Sequence, residues 1–279
     1  MQDIIISNPE ELQQKIKNFV KAGSENLHIL SDFDRTLTQG IVQGKRSATL
    51  IAYIRNGKYL TSDYPKKAYN LFDKYHPIEI DPTISLETKK EKMEEWWKAH
   101  NELLIKSGLD MEVFKDIIKK NNLFFRKGCL DFFDLLNQET IPLIIMSASR
   151  AELIKGFLEK ENKFYKNTHI IANNFIWDKE NKAIGSREPV IHTFNKTETE
   201  LKHLPIYNEL LKRKNIILLG DSLGDTGMSE GFPYNNIIKI GFLNENQEQN
   251  LEAYKKSFDI LITNDGSFEY INNLLKKII

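Results

Sequence analysis

The chain has 279 residues, enough for one large domain or for a core with an inserted subdomain, and its 41% hydrophobic and 28% charged residues are typical of a globular protein. Its 39 Lys and Arg residues equal its 39 Asp and Glu residues, so the charge does not favour binding to nucleic acid. Cys129 is the single cysteine, which excludes an intramolecular disulfide. The sequence shows neither a signal-peptide pattern nor an apolar run near the ~20 residues that span a bilayer, so we expect a cytoplasmic protein with no membrane partner.

The first predicted elements are a helix and a buried strand. Asn8 and Pro9 are typical of an N-cap and a first helical turn, and Gly23 is expected to end the helix. The apolar residues 27–30 then predict a buried strand.

Asp32 and Asp34 form an Asp-x-Asp motif directly after this strand. Carboxylates two residues apart in extended chain point to the same side, and the carboxyl end of a central strand faces the crevice where open α/β sheets bind ligands. Two anions held together repel, so one pKa rises unless a cation lies between them. The motif therefore suits a Mg²⁺ site with one ionised nucleophile and one carboxylate that carries a proton, although surface loops also contain Asp-x-Asp.

Residues 41–120 differ in character, because they contain no convincing strand and are rich in Lys, Glu and aromatic residues. Residues 85–108 predict a long helix, whose apolar face follows the spacing of Met93, Leu103 and Leu104. Trp96 and Trp97 are adjacent, and neighbours on a helix differ in direction by about 100°. One of them is therefore expected to face elsewhere, and the active-site cleft is a candidate.

From residue 121 onwards, helices alternate again with apolar strands, which are expected at residues 141–146, 215–219, 237–240 and 259–262. The fold class predicted from this order is a doubly wound, Rossmann-like α/β core with a parallel sheet, interrupted by an α-helical insert. The expected boundaries are 1–40 and 121–279 for the core and 41–120 for the helical cap, with crossings near residues 40–45 and 121–127.

Three later motifs carry chemistry. Ser147 and the following backbone N–H groups suit a phosphate cradle at a strand-to-helix junction, although a serine there also suits an ordinary N-cap. Lys196 is one lysine among many, but beside aspartates it would balance the charge of a phosphate. The segment 220–225, Gly-Asp-Ser-Leu-Gly-Asp, follows a strand and places Asp221 and Asp225 at the same sheet edge as Asp32.

These motifs occur in the order of the four motifs of haloacid dehalogenase-type phosphohydrolases, and an insert directly after the first motif resembles the helical type of cap in that superfamily. The resemblance extends from Asn8 to the C-terminus and is closest to the cytosolic pyrimidine 5′-nucleotidase family of animals and plants. The matching stretches are residues 32–37, 44–46, 78–82, 95–100, 192–196, 216–225 and 238–244.

The resemblance implies a role for each matching residue of the core. Asp32 would be the nucleophile, and Asp34 would protonate the leaving oxygen and then activate water. Mg²⁺ would be held by Asp32, by the backbone carbonyl of Asp34 and by Asp221. The phosphoryl oxygens would be held by Ser147, the Ala148 amide and Lys196, and Asp225 would support the lysine or a metal-bound water.

Two residues of the cap would recognise the base. Glu79 resembles the base-reading residue of the family and would accept a hydrogen bond from an exocyclic amine, although without the resemblance the local sequence favours a solvent-facing turn. Trp97 is the candidate for stacking on the base. The chain departs from the family at Ser149, where Gly is usual, and at Ala99, where some members have Ser, which bears on the preferred base.

The predicted function is that of a Mg²⁺-dependent 5′-nucleotidase, which acts as a monomer on nucleoside 5′-monophosphates with a pyrimidine or 7-methylguanine base. One alternative is a small-metabolite phosphatase, such as a phosphoserine phosphatase, on the same scaffold. The other is a nucleotide-binding protein that has lost catalysis, although a pure binder does not need an acid–base carboxylate such as Asp34.

Overall fold

The computed structural model describes residues 4–81, 83–121, 123–197 and 205–279. The strands of these residues are β1 (Ile4–Ile6), β2 (Leu27–Ser31), β3 (Ile41–Val42), β4 (Lys45–Arg46), β5 (Leu143–Arg150), β6 (Thr168–Asn173), β7 (Phe175–Trp177), β8 (Ala183–Ser186), β9 (Asn215–Gly220), β10 (Asn236–Leu243) and β11 (Ile260–Thr263).

The α-helices are α1 (Pro9–Ala22), α2 (Leu50–Asn56), α3 (Tyr64–Ile80), α4 (Leu86–Lys106), α5 (Met111–Lys120), α6 (Cys129–Gln138), α7 (Ala151–Lys160), α8 (Tyr207–Leu210), α9 (Gln247–Ser257) and α10 (Glu269–Ile278). Within the described residues, 3₁₀ segments occupy Ser24–Asn26 and Leu223–Ser229. Among the residues described, none of the helices has the length and apolar character that crossing a membrane requires.

The main sheet has seven strands in the order β1-β11-β10-β9-β2-β5-β6, and all its strands except β1 run parallel. The predicted doubly wound α/β architecture is confirmed. Four features were not predicted: the antiparallel edge strand β1, the parallel edge strand β6, and the short hairpins β3–β4 and β7–β8. The hairpin β3–β4 corrects the expectation that residues 41–120 hold no strand, because two residues per strand are too few for an alternating pattern to be recognised.

The central strands are buried on both faces, which explains their continuous apolar runs. Successive residues of a strand point to opposite faces. Ile29 and Ile217 accordingly belong to a large cluster on one face of the sheet, and Leu30 and Leu218 to a second cluster on the other. Helices must therefore cover both faces, as the doubly wound arrangement requires.

Local signals explain the first helix and the longest one. The Asn8 side chain accepts a hydrogen bond from the Glu11 amide at the start of α1, and Gly23 ends this helix with φ +79°. Helix α4 begins after Ser85, whose hydroxyl accepts from the Thr88 amide. Both helices match their predicted positions within two residues.

Helices α2–α5 follow β2 in the chain and precede β5. α3 packs on α4, whereas α2 also contacts β5 and α5 contacts α7. The division into a core (1–40 and 121–279) and a cap (41–120) stays a prediction. Pro82 and Asn122, which belong to a predicted family stretch and to a predicted crossing, lie outside the described residues.

Candidate active site

The candidate site lies at the carboxyl ends of three adjacent strands, β5, β2 and β9. Ser31 is paired with Ile145 on one side and with Leu219 on the other, so the residues that follow these strands meet at one edge. The Asp32 amide continues the pairing by donating to the Leu219 carbonyl at 3.0 Å. The order of strands thus brings the first, second and fourth motifs to one crevice, as predicted for open α/β sheets.

A buried ion cluster forms the centre of the site. The Lys196 ammonium contacts Oδ1 of Asp32 at 2.5 Å and Oδ1 of Asp225 at 3.0 Å, and all three residues are almost fully buried. Burial raises the pKa of Asp32 to about 6, although Lys196 opposes this shift. Burial alone would lower the pKa of Lys196, but the two carboxylates raise it above its usual value, so the ammonium stays charged.

Asp225 organises the loop that follows β9. Its Oδ2 accepts hydrogen bonds from the backbone and hydroxyl of Ser222, both at 2.9 Å, and from the Asp221 amide at 3.2 Å. Gly220 makes this possible, because a Cβ there would lie 2.4 Å from the Cβ of Asp225. Both Asp225 oxygens are thus engaged with the protein, which is consistent with the supporting role predicted for this residue.

The carboxylates at the site are suited to a divalent cation. Ligand atoms of Asp32, Asp221 and Asp225 all lie within 4.8 Å of one another. Burial raises the pKa of Asp221 well above its usual value, and the charges of Asp32 and Asp225 raise it further. Such crowding of anions favours a positive charge among them, and carboxylate oxygens are the ligands that hard divalent cations prefer.

Asp34 lies in the turn after β2 and joins this turn to the next helix. Its Oδ1 accepts a hydrogen bond at 3.0 Å from the amide of Leu50, the first residue of α2, so the side chain acts as a remote cap for that helix. Burial and the nearby charge of Asp32 raise the pKa of Asp34 to about 7. The capping contact was not predicted, because the sequence does not show which loop faces the start of α2.

The segment predicted to bind phosphate, residues 147–149, has a different local structure from the one expected. Strand β5 continues to Arg150 instead of ending at residue 146, and its pairing with β6 is irregular between Ser147 and Arg150. Within this irregular part, the Ser147 hydroxyl accepts from the Ser149 amide at 3.1 Å. Helix α7 begins only at Ala151, with Arg150 as its N-cap, so the alternative that Ser147 caps a helix is wrong. The Ala148 carbonyl is fixed by Asn173 at 2.7 Å.

Glu79 lies in the last turn of α3 and reaches the loop of Lys196. Its two oxygens accept hydrogen bonds from the Thr193 hydroxyl at 2.7 Å and from Nδ1 of His76 at 3.1 Å. Burial would raise the pKa of Glu79, but the contacts with His76 and Thr193 lower it, which keeps the carboxylate ionised. Glu79 is thus half-buried in a helix and not in a solvent-facing turn.

Trp97 is half-buried on α4, and its ring centroid lies 6.4 Å from that of its neighbour Trp96. Trp96 stacks on Tyr75 with ring centroids 6.0 Å apart, whereas the ring of Trp97 lies 5.4 Å from the guanidinium of Arg150. Trp97 thus contacts Trp96 and His100 on its own helix as well as Arg150 at the end of β5. The expectation that one of the two tryptophans faces the active-site cleft stays a prediction.

The comparisons with known proteins identify the family. The family model for pyrimidine 5′-nucleotidase (UMPH-1) matches residues 35–279. The 7-methylguanosine phosphate-specific 5′-nucleotidase A of Xenopus laevis is 36% identical over 270 residues, which cover 96% of this chain and 93% of that protein. The chain belongs to the pyrimidine 5′-nucleotidase family.

Other members of this family resemble the chain over nearly its whole length. The 7-methylguanosine phosphate-specific 5′-nucleotidase of Homo sapiens is 33% identical and covers 99% of this chain, with 92% of that protein covered. A crystal structure of cytosolic 5′-nucleotidase IIIB bound to cytidine is 31% identical and superposes with a TM-score of 0.89, over 99% of this chain and 93% of that chain.

A phosphoserine phosphatase complex at 17% identity has a TM-score of 0.51, over 91% of this chain and 98% of that chain, and supports the fold alone. The resemblance stated from the motifs is confirmed, as is the prediction of a phosphoric monoester hydrolase of the 5′-nucleotidase type.

Proposed function

We propose that the protein hydrolyses nucleoside 5′-monophosphates with a pyrimidine or 7-methylguanine base to nucleoside and phosphate, with Mg²⁺ as its metal. The observation that carries the proposal is the convergence of Asp32, Lys196 and Asp221 at one sheet edge, in a chain of this family. Relatives named for 7-methylguanosine phosphate and a structure bound to cytidine support both classes of base.

Asp32 and Asp34 would divide the chemistry. A carboxylate oxygen of Asp32 forms a bond to phosphorus while the bond from phosphorus to the ribose oxygen breaks, and Asp34 gives its proton to that oxygen. The Asp34 carboxylate then takes a proton from water, whose oxygen attacks phosphorus and releases Asp32. A pKa of about 7 for Asp34 suits both directions of proton transfer near neutral pH.

The remaining core residues would hold the phosphoryl group. Lys196, the Ser147 hydroxyl and the Ala148 amide would bind its oxygens, and Asp225 would keep Lys196 in place through their 3.0 Å contact. Asp32, the backbone carbonyl of Asp34 and Asp221 would hold Mg²⁺, which neutralises charge on the nucleophile and the phosphate when it is bound.

Residues 41–120 would form a cap that closes over the substrate and excludes water. Glu79 would accept a hydrogen bond from an exocyclic amine of the base, and Trp97 would stack on its ring. The hydrogen bond from Thr193 to Glu79 supports this assignment, because it shows that the carboxylate reaches the loop that bears Lys196. We propose further that the protein is a cytoplasmic monomer, which size-exclusion chromatography with light scattering and localisation of the tagged protein would check.

The test is phosphate release from CMP, UMP, 7-methyl-GMP, AMP and phosphoserine, each with Mg²⁺ or with EDTA. We expect release from the first three that requires metal and is abolished in Asp32→Asn. Asp131→Asn, on the outer helix α6, is the matched control and should retain full activity.

Other outcomes would contradict the proposal. Turnover of phosphoserine alone would preserve the core chemistry and overturn the assignment of the cap. Binding of nucleotides without turnover of any substrate would favour a protein that has lost catalysis.

A further inference from the structure

Unpaired polar atoms concentrate beside the phosphate cradle. In the described part of the chain, eleven buried side-chain nitrogen or oxygen atoms make no hydrogen bond, and five of these belong to Asn101, Ser149, Arg150 and Glu152. Three of the four residues lie at the junction of β5 and α7, and the fourth lies on α4 against them. Buried polar groups are almost always paired, so such a concentration needs an explanation.

Arg150 is at the centre of this group. Its guanidinium is completely buried, and Nη2 donates to Oδ1 of Asn101, while Nε and Nη1 have no acceptor among the described residues. The guanidinium lies over two aromatic rings, 4.6 Å from that of Phe175 and 5.4 Å from that of Trp97. Burial lowers the pKa of Arg150 to about 10, so the group still carries its charge at neutral pH.

The unpaired atoms of this group are mainly donors. Nε and Nη1 of Arg150 and Nδ2 of Asn101 offer N–H groups without acceptors. Glu152 contributes the one unpaired carboxylate acceptor, Oε2, while its Oε1 accepts from the amide of Phe175 and from the indole of Trp177. The group therefore favours a ligand that presents acceptor atoms side by side, which a guanidinium can bind with two parallel hydrogen bonds.

A ring carbonyl with an adjacent acceptor nitrogen, as in cytosine, has this chemistry. Arg150 follows the cradle residues 147–149 directly and contacts Trp97, the proposed stacking residue, so a base on Trp97 would meet the guanidinium. Glu79 would complement it, because a carboxylate accepts where a guanidinium donates. Since α4 covers Arg150, contact requires α4 to move away from Arg150 before the cap closes over the substrate.

We propose that Arg150, held by Asn101, is a specificity-determining residue that binds the carbonyl acceptor of the substrate's base. This inference rests on the proposed function. Under the alternative, Arg150 is a buried structural link between β5 and α4 and affects all substrates equally.

The experiment compares CMP with ribose 5-phosphate, which has no base and is assayed as a substrate or, where turnover is slow, as a competitive inhibitor. For CMP, we expect Arg150→Met to raise KM about 10- to 100-fold with a smaller change in kcat, as the loss of hydrogen bonds to a charged group predicts. The constants for ribose 5-phosphate should not change. Arg150→Lys keeps the positive charge but loses the two parallel N–H donors of the guanidinium, so it should give a KM for CMP between those of the wild type and Arg150→Met.

Arg213→Met is the matched control, because Arg213 is a largely buried arginine that bonds to the carbonyl of Leu27 at the opposite end of β2. It should leave the ratio of the CMP and ribose 5-phosphate constants unchanged. If Arg150→Met does not fold, the same comparison of CMP with ribose 5-phosphate is made with Arg150→Lys.

Equal losses on both substrates, or no loss on CMP, would overturn the inference. A wild-type preference for CMP that survives the Arg150 substitutions would overturn this inference alone. If the wild-type protein does not act better on any nucleoside monophosphate than on ribose 5-phosphate, the proposed function is overturned as well.

Discussion

Asp34 caps a helix and, under the proposed function, would also act as the acid–base group. It caps α2 through the Leu50 amide, and its raised pKa of about 7 suits an acid–base group. The amide donor favours the ionised form, whereas burial and Asp32 favour the protonated form, and the second influence is larger. An asparagine at this position would keep the capping contact and lose the proton transfer.

We expect Asp34→Asn to lower kcat by about 10²- to 10⁴-fold, the usual contribution of general acid–base catalysis, while the protein stays folded because asparagine also accepts the Leu50 amide. Steady-state kinetics and calorimetric titration with a nucleoside monophosphate would measure turnover and binding separately. Asp73→Asn, on the exposed face of α3, should change neither. Retention of kcat in the Asp34 variant would exclude it as the acid.

Residues that carry their own motif could be predicted from the sequence, but residues defined by a partner could not. Asp32 and Asp221 follow apolar strands within short motifs, so their place at the sheet edge follows from chain order. Thr193 and Arg150 are recognised only through their hydrogen bonds to Glu79 and Asn101, which lie 114 and 49 residues away in the sequence. One sequence shows local patterns, and these contacts form only when distant segments pack together.

At the scale of elements, Arg126 joins three segments around the site. Its buried guanidinium donates to the carbonyls of Thr36 and Arg35 in the turn after β2, and it also contacts Asn244, after β10, and Asp265, after β11. Asp265 in turn accepts from the amide of Gly40, where the helical segment begins. Arg126 thus fixes the turn that contains Asp34 relative to the sheet.

We expect Arg126→Met to lower the free energy of unfolding by about 3–5 kcal/mol, because it leaves Asp265 and buried carbonyls without their donor. Activity should fall as well, since the turn of Asp34 loses its anchor. Urea unfolding and kcat at a temperature where the variant is folded would check both. Lys127→Met, which changes the exposed neighbouring residue, is the control and should alter neither the free energy of unfolding nor the activity. An unchanged unfolding midpoint for Arg126→Met would contradict the anchoring role.

Sequence patterns predicted long elements better than short or irregular ones. α4 has a cap and several turns of apolar spacing, and the central strands have uniform apolar runs. The extension of β5 through Arg150 was missed because polar residues end the apolar run, while the backbone continues to pair with β6. Hairpin β3–β4 is held by two paired positions and has no periodic signal.

At the scale of the whole molecule, the site keeps negative charges close together inside a folded protein. Asp32, Asp221 and Asp225 crowd around a single ammonium, that of Lys196. Their repulsion destabilises the fold when no cation is bound, and a ligand that binds only the folded state stabilises it by mass action. Stability should therefore report occupancy of the site.

We expect saturating Mg²⁺ to raise Tm, with a stabilisation of about 2.7 kcal/mol at a hundred times Kd, and EDTA to reverse the effect. Asp221→Asn should remove most of this shift and, in EDTA, be at least as stable as the wild type, because one repelling charge is gone. Differential scanning calorimetry with and without metal would measure both. A full Mg²⁺ shift in Asp221→Asn would exclude this residue as a ligand.

Stability should also depend on pH through a buried histidine of α4. Burial lowers the pKa of His100 to about 3, so between pH 6.5 and 3 the unfolded chain binds a proton that the folded chain does not. Wild-type stability is therefore lost through this group as the pH falls across that window, by about 1.4 kcal/mol per unit.

Glutamine at position 100 can keep the contact with Tyr64. The free energy of unfolding of His100→Gln should therefore fall less steeply with decreasing pH than that of the wild type, by about 1.4 kcal/mol per pH unit. Urea unfolding of both proteins in EDTA at pH 7, 6 and 5 would compare the slopes, and parallel curves would contradict the assignment.

The hydrogen bond from Thr193 to Glu79 has a consequence for the release of product. Under the proposed role of Glu79, the protein's own hydroxyl occupies the position of the base's amine before substrate arrives. A base with a donor exchanges one hydrogen bond for another, and a base without a donor leaves the carboxylate unsatisfied. After the phosphate has been hydrolysed off, the Thr193 hydroxyl competes with the nucleoside for the Glu79 carboxylate. This intramolecular competition favours rapid release of the nucleoside over tight binding.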